Sequence, residues 1–156
     1  EFKDLDECRI DMLIIKRWLS SSYGTHQFWY AVLRITVGLS ISFGHGLGKM
    51  TGGSEKWMII GSMGLKNIGV ESFHTFFGFM ASFSELAGGF LLAIGLLVKP
   101  SAILLAITMA FAVLFHIQSG NPGVEFAAIY GIIFLYFGLT GPGRFSIDSK
   151  LFGWEK

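Results

Sequence analysis

Four long apolar runs constrain this chain more than any other feature. They cover approximately residues 28–47, 76–98, 101–117 and 124–139. A helix needs roughly 20 mostly apolar residues to cross a bilayer, with a range of about 17–25. Soluble core helices are the alternative, but four such runs in 156 residues favour an all-α integral membrane protein. We therefore predict a transmembrane four-helix bundle over residues 28–141.

Short breakers separate the runs. Lys99 and Pro100 end the second run, and proline suits the first turn of the helix that follows, which predicts a tight hairpin. The sequences SGNPG at residues 119–123 and TGPG at residues 140–143 are typical of turns. The longer link at residues 48–75 contains WMIIGSMG, which predicts a short interfacial helix or re-entrant cap between the first and second spans.

Composition narrows the class of protein further. Only 15% of the residues are charged, whereas an average soluble domain has about 25%. The net charge of +1 offers no clustered basic face, so nucleic acid is not an expected partner. The single cysteine, Cys8, excludes an internal disulfide or a CxxC redox pair.

The lysines and arginines set the expected orientation. With four spans, the side that holds both termini contains Lys3, Arg9, Lys16, Arg17, Lys99, Arg144, Lys150 and Lys156, and the other side contains Lys49, Lys56 and Lys66. Because cytoplasmic loops carry the excess of basic residues, both termini should be cytoplasmic. Residues 1–27 would then form a cytoplasmic N-terminal arm and residues 142–156 a cytoplasmic C-terminal tail.

The N-terminal arm raises two further expectations. Its first methionine is Met12, and one hypothesis is that translation begins there, so that residues 1–11 are upstream or non-native sequence. The intact mass of the native protein would test this. The sequence MLIIKRWL that follows is either a short helix lying on the membrane or a basic flank, and Trp18, Trp29 and Tyr30 would form an aromatic belt.

Small residues recur four positions apart in the apolar runs. The repeats are Gly38, Ser42 and Gly46 in the first run, Ser84 with Gly88 and Gly89 with Ala93 in the second, and Ala102, Ala106 and Ala110 in the third. Helices in lipid associate through close packing, and small residues let their backbones approach. These repeats predict the contact faces of the bundle.

Two ionisable residues fall inside the apolar runs. Arg34 lies in the first run and Glu85 near the middle of the second. A charge at the centre of a membrane helix costs roughly 2.5–3.5 kcal/mol, so it usually faces the bundle interior and has a partner. We expect Arg34 and Glu85 to pair, either as a structural ion pair or as a site where Glu85 also contacts a substrate or moves a proton. Helical spacing places His45 and Lys49 on the same face as Arg34.

A second polar group is expected at the outer side of the bundle. It contains His45, Lys49, His116 and Glu125. Capping of helix ends, and the dipole of its own helix for Glu125, are the structural alternatives. Histidines and a carboxylate could bind zinc or iron, but their spacing lacks a tight HxxxH or ExxH motif, so no metal site is predicted.

The ordered motifs resemble those of the DoxX family of small four-helix membrane proteins. The resemblance runs from about residue 28 to 151 and rests on VLRITVGL, HGLGK, SELAGGFLLAIGL, FHIQSG, the early Glu125 and GPGRFSID. It implies a bacterial inner-membrane protein. Some members of that family are associated with membrane redox chemistry, including a subunit of a thiosulfate:quinone oxidoreductase and a complex that acts in oxidative-stress defence.

The resemblance makes a redox-associated, quinone-linked membrane subunit the leading expectation, with a polar intramembrane pocket. Candidate ligand-binding or proton-relay residues are Arg34, His45, Lys49, Glu85, His116 and Glu125, and Phe43, Phe83 and Phe115 could line the pocket. No stand-alone catalytic motif is present, so enzymatic activity and the cofactor stay open, with a quinone as the candidate. The lipid bilayer and either a membrane-protein partner or a second copy are the expected partners. The alternatives are a non-catalytic assembly subunit or a small-solute or proton transporter.

Overall fold

The computed structural model describes residues 23–65, 69–70 and 72–153, and all regular elements within those ranges are helices. We label them α1 (Tyr23–Leu39, π-helical Ser40–Gly46 and Leu47–Met50), α2 (Gly53–Leu65), α3 (His74–Phe83, π-helical Ser84–Gly88 and Gly89–Ile94), α4 (Val98–Ser119), α5 (Val124–Thr140) and α6 (Ile147–Phe152). The all-α prediction is confirmed. The proposed start at Met12, the helix at MLIIKRWL, Trp18 and Lys66 lie outside the described residues.

Three helices are long and apolar enough to cross a membrane. They are Gly24–Met50, His74–Ile94 and Val98–Ser119. Val124–Thr140 is a fourth apolar helix and is shorter than these three. The structure therefore has three to four helices that could span a bilayer. The first is longer than its apolar run suggested, because it continues beyond both ends of residues 28–47.

Neighbouring long helices run antiparallel. Gly38 of α1 lies against Gly89 of α3, and Gly46, two turns later in α1, lies against Glu85, which comes earlier in α3. The same reversal relates α3 to α4 and α4 to α5. The contacts that show it are Ser84 with Thr108 and Gly88 with Leu105 for the first pair, and Gly131 with Met109 and Gly138 with Ile103 for the second.

Helices α1 and α5 meet through larger side chains. The rings of Tyr30 and Phe137 are 5.2 Å apart, and those of His45 and Phe126 are 4.8 Å apart. Between these contacts lies the apolar core, which is formed by Val37, Ile41, Leu92, Val98, Ala102, Leu105, Met109, Phe134 and Phe137 together with Tyr30. The core therefore draws on α1, α3, α4 and α5.

The predicted small-residue stripe of α1 does lie at its contact with α3. A methyl group at Gly38 would be 2.6 Å from the Gly89 carbonyl oxygen, and one at Gly46 would overlap the backbone of Leu86. Real Cβ atoms do not approach other heavy atoms this closely, so only glycine permits the observed separation of the two helices. Gly88, by contrast, faces Leu105 of α4 at an ordinary distance.

The link between α1 and α3 contains a helix, α2, which follows the turn at Thr51 and Gly52. It packs antiparallel to the first half of α3 through two glycines. A methyl group at Gly61 would overlap the His74 carbonyl group, and one at Gly78 would overlap the Trp57 carbonyl group. The opposite face of α2 is apolar and exposed, at Met58, Ile59 and Met63.

Candidate functional site

The strongest candidate site is an ion pair between α1 and α3. Glu85 is 1% exposed, and its Oε1 lies 2.5 Å from Nζ of Lys49, whose side chain is 32% exposed. The second carboxylate oxygen, Oε2, is buried and has no hydrogen-bond partner. Glu85 thus offers one paired and one unpaired oxygen, and Lys49 connects the pair to the protein surface.

Two π-helical segments position this pair. Ser40–Gly46 in α1 faces Ser84–Gly88 in α3, and Glu85 belongs to the second segment. The two segments approach closely because Gly46 has no side chain. The Ser42 hydroxyl donates a 2.8 Å hydrogen bond to the Leu86 carbonyl oxygen, which joins the two segments directly. Single π turns within α-helices occur frequently at functional sites.

Hydroxyl groups lie at the contact between α3 and α4, next to Glu85 in the sequence. Ser82 and Ser84, which precede Glu85, are both buried. The Thr108 hydroxyl lies 3.2 Å from the Ser84 hydroxyl and 3.0 Å from the Leu104 carbonyl oxygen. These bonds add polar contacts to the interface between α3 and α4.

A row of aromatic rings begins next to the backbone of Lys49. The Trp57 indole N–H donates a 3.2 Å hydrogen bond to the Lys49 carbonyl oxygen. The Trp57 ring centroid is 5.0 Å from that of Phe79, which is 6.0 Å from that of Phe83 and nearly parallel to it. Helix α2 therefore brings an indole next to the lysine, and α3 extends the aromatic row.

The expected pairing of Arg34 with Glu85 is wrong. Arg34 is 1% exposed, and its guanidinium donates to the carbonyl oxygens of Leu92 at 2.5 Å, Ala93 at 3.0 Å and Phe145 at 2.7 Å. The antiparallel register explains the difference. Leu92 lies seven residues beyond Glu85, about 10 Å along a helix with a rise of 1.5 Å per residue.

Arg34 and Asp148 hold the turn between α3 and α4 from its two sides. Arg34 binds carbonyl groups in the last turn of α3, where the helix dipole favours a cation. Asp148 accepts 2.9 Å hydrogen bonds from the backbone N–H groups of Leu97 and Val98, at the start of α4, where the dipole favours an anion. Leu97 itself has a φ of 52°, in the left-handed region. Arg34 therefore has a structural position remote from Glu85.

The remaining predicted residues lie apart from the ion pair. His45 is exposed and packs on Phe126 of α5, so it does not share the face of Arg34 and Lys49 as expected. His116 packs against Gly123 in the SGNPG turn, with its Nδ1 atom buried and without a hydrogen-bond partner. Glu125 is exposed in the first turn of α5.

The π-helical segment is the reason for the altered position of His45. Hydrogen bonding from residue i to i+5 widens the turn relative to an α-helix, so a face counted at regular α-helical spacing is rotated after Ser40. Of the three phenylalanines expected to line the pocket, Phe83 stacks on Phe79 and Phe115 contacts His116.

Within the described ranges, no group of three or more His, Cys, Asp or Glu side chains is arranged to hold a metal ion. Chemically, the ion pair offers one carboxylate oxygen that can accept a hydrogen bond or a proton, and one ammonium group that can donate. Removing a charge from water costs free energy even when the charge is paired. Burial of Glu85 at this position is therefore unfavourable unless other interactions compensate it.

Sequence reasoning missed two residues of structural or chemical importance, Trp57 and Asp148. Trp57 lies in the WMIIGSMG segment, where an indole among apolar residues was a visible signal of a hydrogen-bond donor needing a partner. Asp148 is the last residue of the motif GPGRFSID, and nothing in that motif indicates a partner for its carboxylate.

The fold and site define an all-helical membrane protein with several apolar helices around a buried, paired carboxylate. The chain belongs to the DoxX family, whose sequence profile matches residues 30–117. The match includes Arg34, Lys49 and Glu85 and ends before α5.

A similar protein is an uncharacterized protein of Haemophilus influenzae. The two are 36% identical over an alignment of 81 residues, and the match covers 47% of this chain and 60% of that relative. The match thus spans less than two thirds of the relative's length. No solved structure matches the chain significantly.

Proposed function

We propose that the chain is a four-helix membrane subunit in which α1, α3, α4 and α5 span the bilayer and α2 caps the space between the first two spans. The antiparallel order of these helices supports this arrangement. Lys99, Arg144 and Lys150 lie toward the end at which α1 begins, whereas Lys49 and Lys56 lie toward the other end. By the positive-inside rule, both termini would be cytoplasmic, in a bacterial inner membrane.

We further infer that the Lys49–Glu85 site binds the headgroup of an amphipathic membrane ligand, with a quinone as the leading candidate, in a redox-associated subunit. The observation that carries this proposal is the unpaired, buried Oε2 of Glu85. A purely structural ion pair would be expected to satisfy both oxygens, because buried polar groups normally have partners.

The chemistry of the site suits such a headgroup. Oε2 of Glu85 can accept a hydrogen bond from a hydroxyl group, and the Lys49 ammonium can donate to a carbonyl oxygen. Trp57, Phe79 and Phe83 provide flat surfaces for a ring. His45, His116 and Glu125 are secondary candidates for ligand or proton contacts, and Arg34 is a positioning residue for the α3–α4 turn.

Direct binding to the full chain in detergent tests this function. The probes are decylubiquinone and decylubiquinol, and the readout is quenching of tryptophan fluorescence together with retention on gel filtration. We expect saturable binding by the wild type, at least tenfold weaker binding by Glu85→Gln and Lys49→Gln because a hydrogen bond to a charged group is lost, and unchanged binding by Glu55→Gln. Glu55 is an exposed carboxylate in the first turn of α2 and serves as the matched control.

Two results would contradict the proposal. One is the absence of saturable binding of either probe to the wild type. The other is equal affinity of the wild type and both site variants, since the Lys49–Glu85 pair would then not contact the headgroup.

An assembly subunit without chemistry is the second candidate function. It is favoured by the apolar face that α2 exposes at Met58, Ile59 and Met63, which could contact a membrane-protein partner or a second copy. Under this function, substitutions at Glu85 would lower the amount of assembled complex, and any complex that formed would be fully active. Co-purification from membranes in mild detergent, quantified per unit of activity, distinguishes the two functions.

Transport of a small solute or a proton is the third candidate. It is motivated by the presence of an ionisable residue within a spanning helix, since such residues often mark pathways. It predicts flux into proteoliposomes that is lost in Glu85→Gln and kept in Glu55→Gln.

A further inference from the structure

The C-terminal segment has an inverted pattern of burial. Its polar side chains point inward, with Ser146, Asp148 and Ser149 at 4%, 7% and 8% exposed. Its apolar side chains point outward, with Phe145, Ile147, Leu151 and Phe152 at 55%, 38%, 63% and 65% exposed. A helix on an aqueous surface shows the opposite pattern. The outer surface of α6 is therefore suited to an apolar environment.

The inward polar groups fix this orientation. Asp148 uses both carboxylate oxygens on the N-terminal amides of α4, and its own N–H donates to the Gly95 carbonyl oxygen at 2.9 Å. The Ser146 hydroxyl accepts a 3.1 Å hydrogen bond from the Ser149 N–H at the start of α6. Turning α6 over would break these bonds, so the apolar side chains are held outward.

A groove lies beside α6, where α4 begins. It has a volume of about 160 Å³ and is lined by Leu97, Lys99, Pro100, Pro142, Asp148 and Phe152. Leu97 and Phe152 are largely exposed, and Lys99 adds a cation. Among the described residues that line the groove, Asp148 is the one carboxylate, and both of its oxygens already accept backbone hydrogen bonds.

The segment that contains α6 carries two more cations. Arg144, which precedes α6, and Lys150, within α6, are both exposed, and they lie outside the lining of the groove. A surface that combines exposed apolar side chains with cations complements a molecule that has an apolar chain and a negative headgroup. A second copy of the same surface would bring like charges together, which argues against a symmetric dimer at this face.

We propose that this surface, formed by the groove and the outer face of α6, binds an anionic phospholipid. An acyl chain packs on Leu97 and Phe152, and the headgroup phosphate is bound by Lys99, Arg144 and Lys150. Lys and Arg side chains extend their charged ends toward the headgroup region while their stems cover apolar surface. The α6 segment therefore lies at the boundary between acyl chains and headgroups. This site is separate from the Lys49–Glu85 pair and does not rest on its function.

Lipid retention by the full chain tests the proposal. The protein is equilibrated in mixed micelles with equal amounts of phosphatidylglycerol and phosphatidylcholine, separated by gel filtration, and its bound lipid is quantified by mass spectrometry. We expect several-fold enrichment of phosphatidylglycerol. Each basic residue near an anionic membrane surface contributes an effect of about fivefold, so Lys150→Gln should reduce the enrichment and Arg144→Gln combined with Lys150→Gln should reduce it further.

The matched control is Lys56→Gln, which removes one exposed lysine at the opposite end of the bundle and should keep the wild-type enrichment. Wild-type enrichment should also fall as salt is raised, because exposed charges are screened, and this measurement needs no variant. Equal retention of the two lipids by the wild type would overturn the proposal. The proposal would also be overturned if Lys56→Gln and Lys150→Gln lost the same amount of enrichment. It would be overturned too if cross-linking at Phe152→Cys showed that a second copy of the chain covers this face.

Discussion

Lys49 and Glu85, 36 positions apart in the sequence, form an ion pair across the contact between α1 and α3. The lysine is the partly exposed member and the glutamate the fully buried one. Because Arg34 is bound to backbone carbonyl groups elsewhere, Lys49 is the group that compensates the charge of Glu85.

Removing one member of the ion pair should destabilise the protein more than removing both. Lys49→Met leaves the Glu85 carboxylate buried without a cation, and breaking a buried pair in this way costs about 3–5 kcal/mol. In the double variant Lys49→Met, Glu85→Gln the bare charge is absent, so most of that loss should be recovered. The free energy of unfolding in mixed detergent measures both effects. Additive losses would show that the two side chains do not interact.

The glycine contacts between helices should be intolerant of a methyl group. Gly46→Ala and Gly78→Ala would each force the backbones apart, at a cost of about 1–3 kcal/mol as for other overpacked sites. The matched controls are Gly44→Ala, with open space around the added atom, and Gly64→Ala, whose nearest neighbour is 4.0 Å away. Thermal unfolding followed by circular dichroism should give lower midpoints for Gly46→Ala and Gly78→Ala than for the two controls. Similar midpoints in all four variants would contradict these close contacts.

Asp148 should stabilise the α3–α4 hairpin through the start of α4. Asp148→Ala removes the acceptor for the Leu97 and Val98 N–H groups, and losing an N-terminal cap costs about 0.5–2 kcal/mol. Asp148→Asn keeps one acceptor oxygen and should lose less. The measurement is hydrogen exchange of the backbone amides at residues 97–98. Exchange there should be faster in Asp148→Ala than in the wild type, and less accelerated in Asp148→Asn. Unchanged exchange there would show that these amides have another acceptor.

Arg34 should be needed for folding and dispensable for ligand contact. Arg34→Lys cannot bind three carbonyl groups with a planar guanidinium, so we expect a loss of about 2–3 kcal/mol in the free energy of unfolding, comparable to one or more hydrogen bonds to a charged group. The folded fraction should still bind a headgroup probe with wild-type affinity. A weakened affinity in fully folded Arg34→Lys would instead place the arginine in the binding site.

Much of the helical framework could be predicted from the sequence, because apolar runs of spanning length leave few alternatives. The contact role of Gly38 and Gly46 also followed from their spacing. The partner of Glu85 could not be predicted in this way. Spacing alone gives neither the register of the two antiparallel helices nor the π-helical turn that contains His45. Counting residues at regular α-helical periodicity assumed a rotation that the segment Ser40–Gly46 does not have.

The role of Asp148 was inaccessible for a different reason. Its hydrogen-bond partners lie 50 and 51 positions earlier, and no local pattern in GPGRFSID indicates which helix end the segment will meet. The candidate site was thus predicted in its central residue, Glu85, and in Lys49 as a member of the polar group. Its aromatic side, formed through α2, depended on how the link packs against α3.

The capping of the α3–α4 turn has a consequence for the order of events during synthesis. The ribosome completes both helices of that hairpin long before it reaches Phe145 and Asp148, whose backbone and side chain bind Arg34 and the α4 amides. The bonds from Arg34 to Phe145 and from the α4 amides to Asp148 can therefore form only after residues 145–148 have been translated. A chain stalled before residue 145 would contain both helices of the hairpin and would lack the groups that join its turn to the end of the bundle.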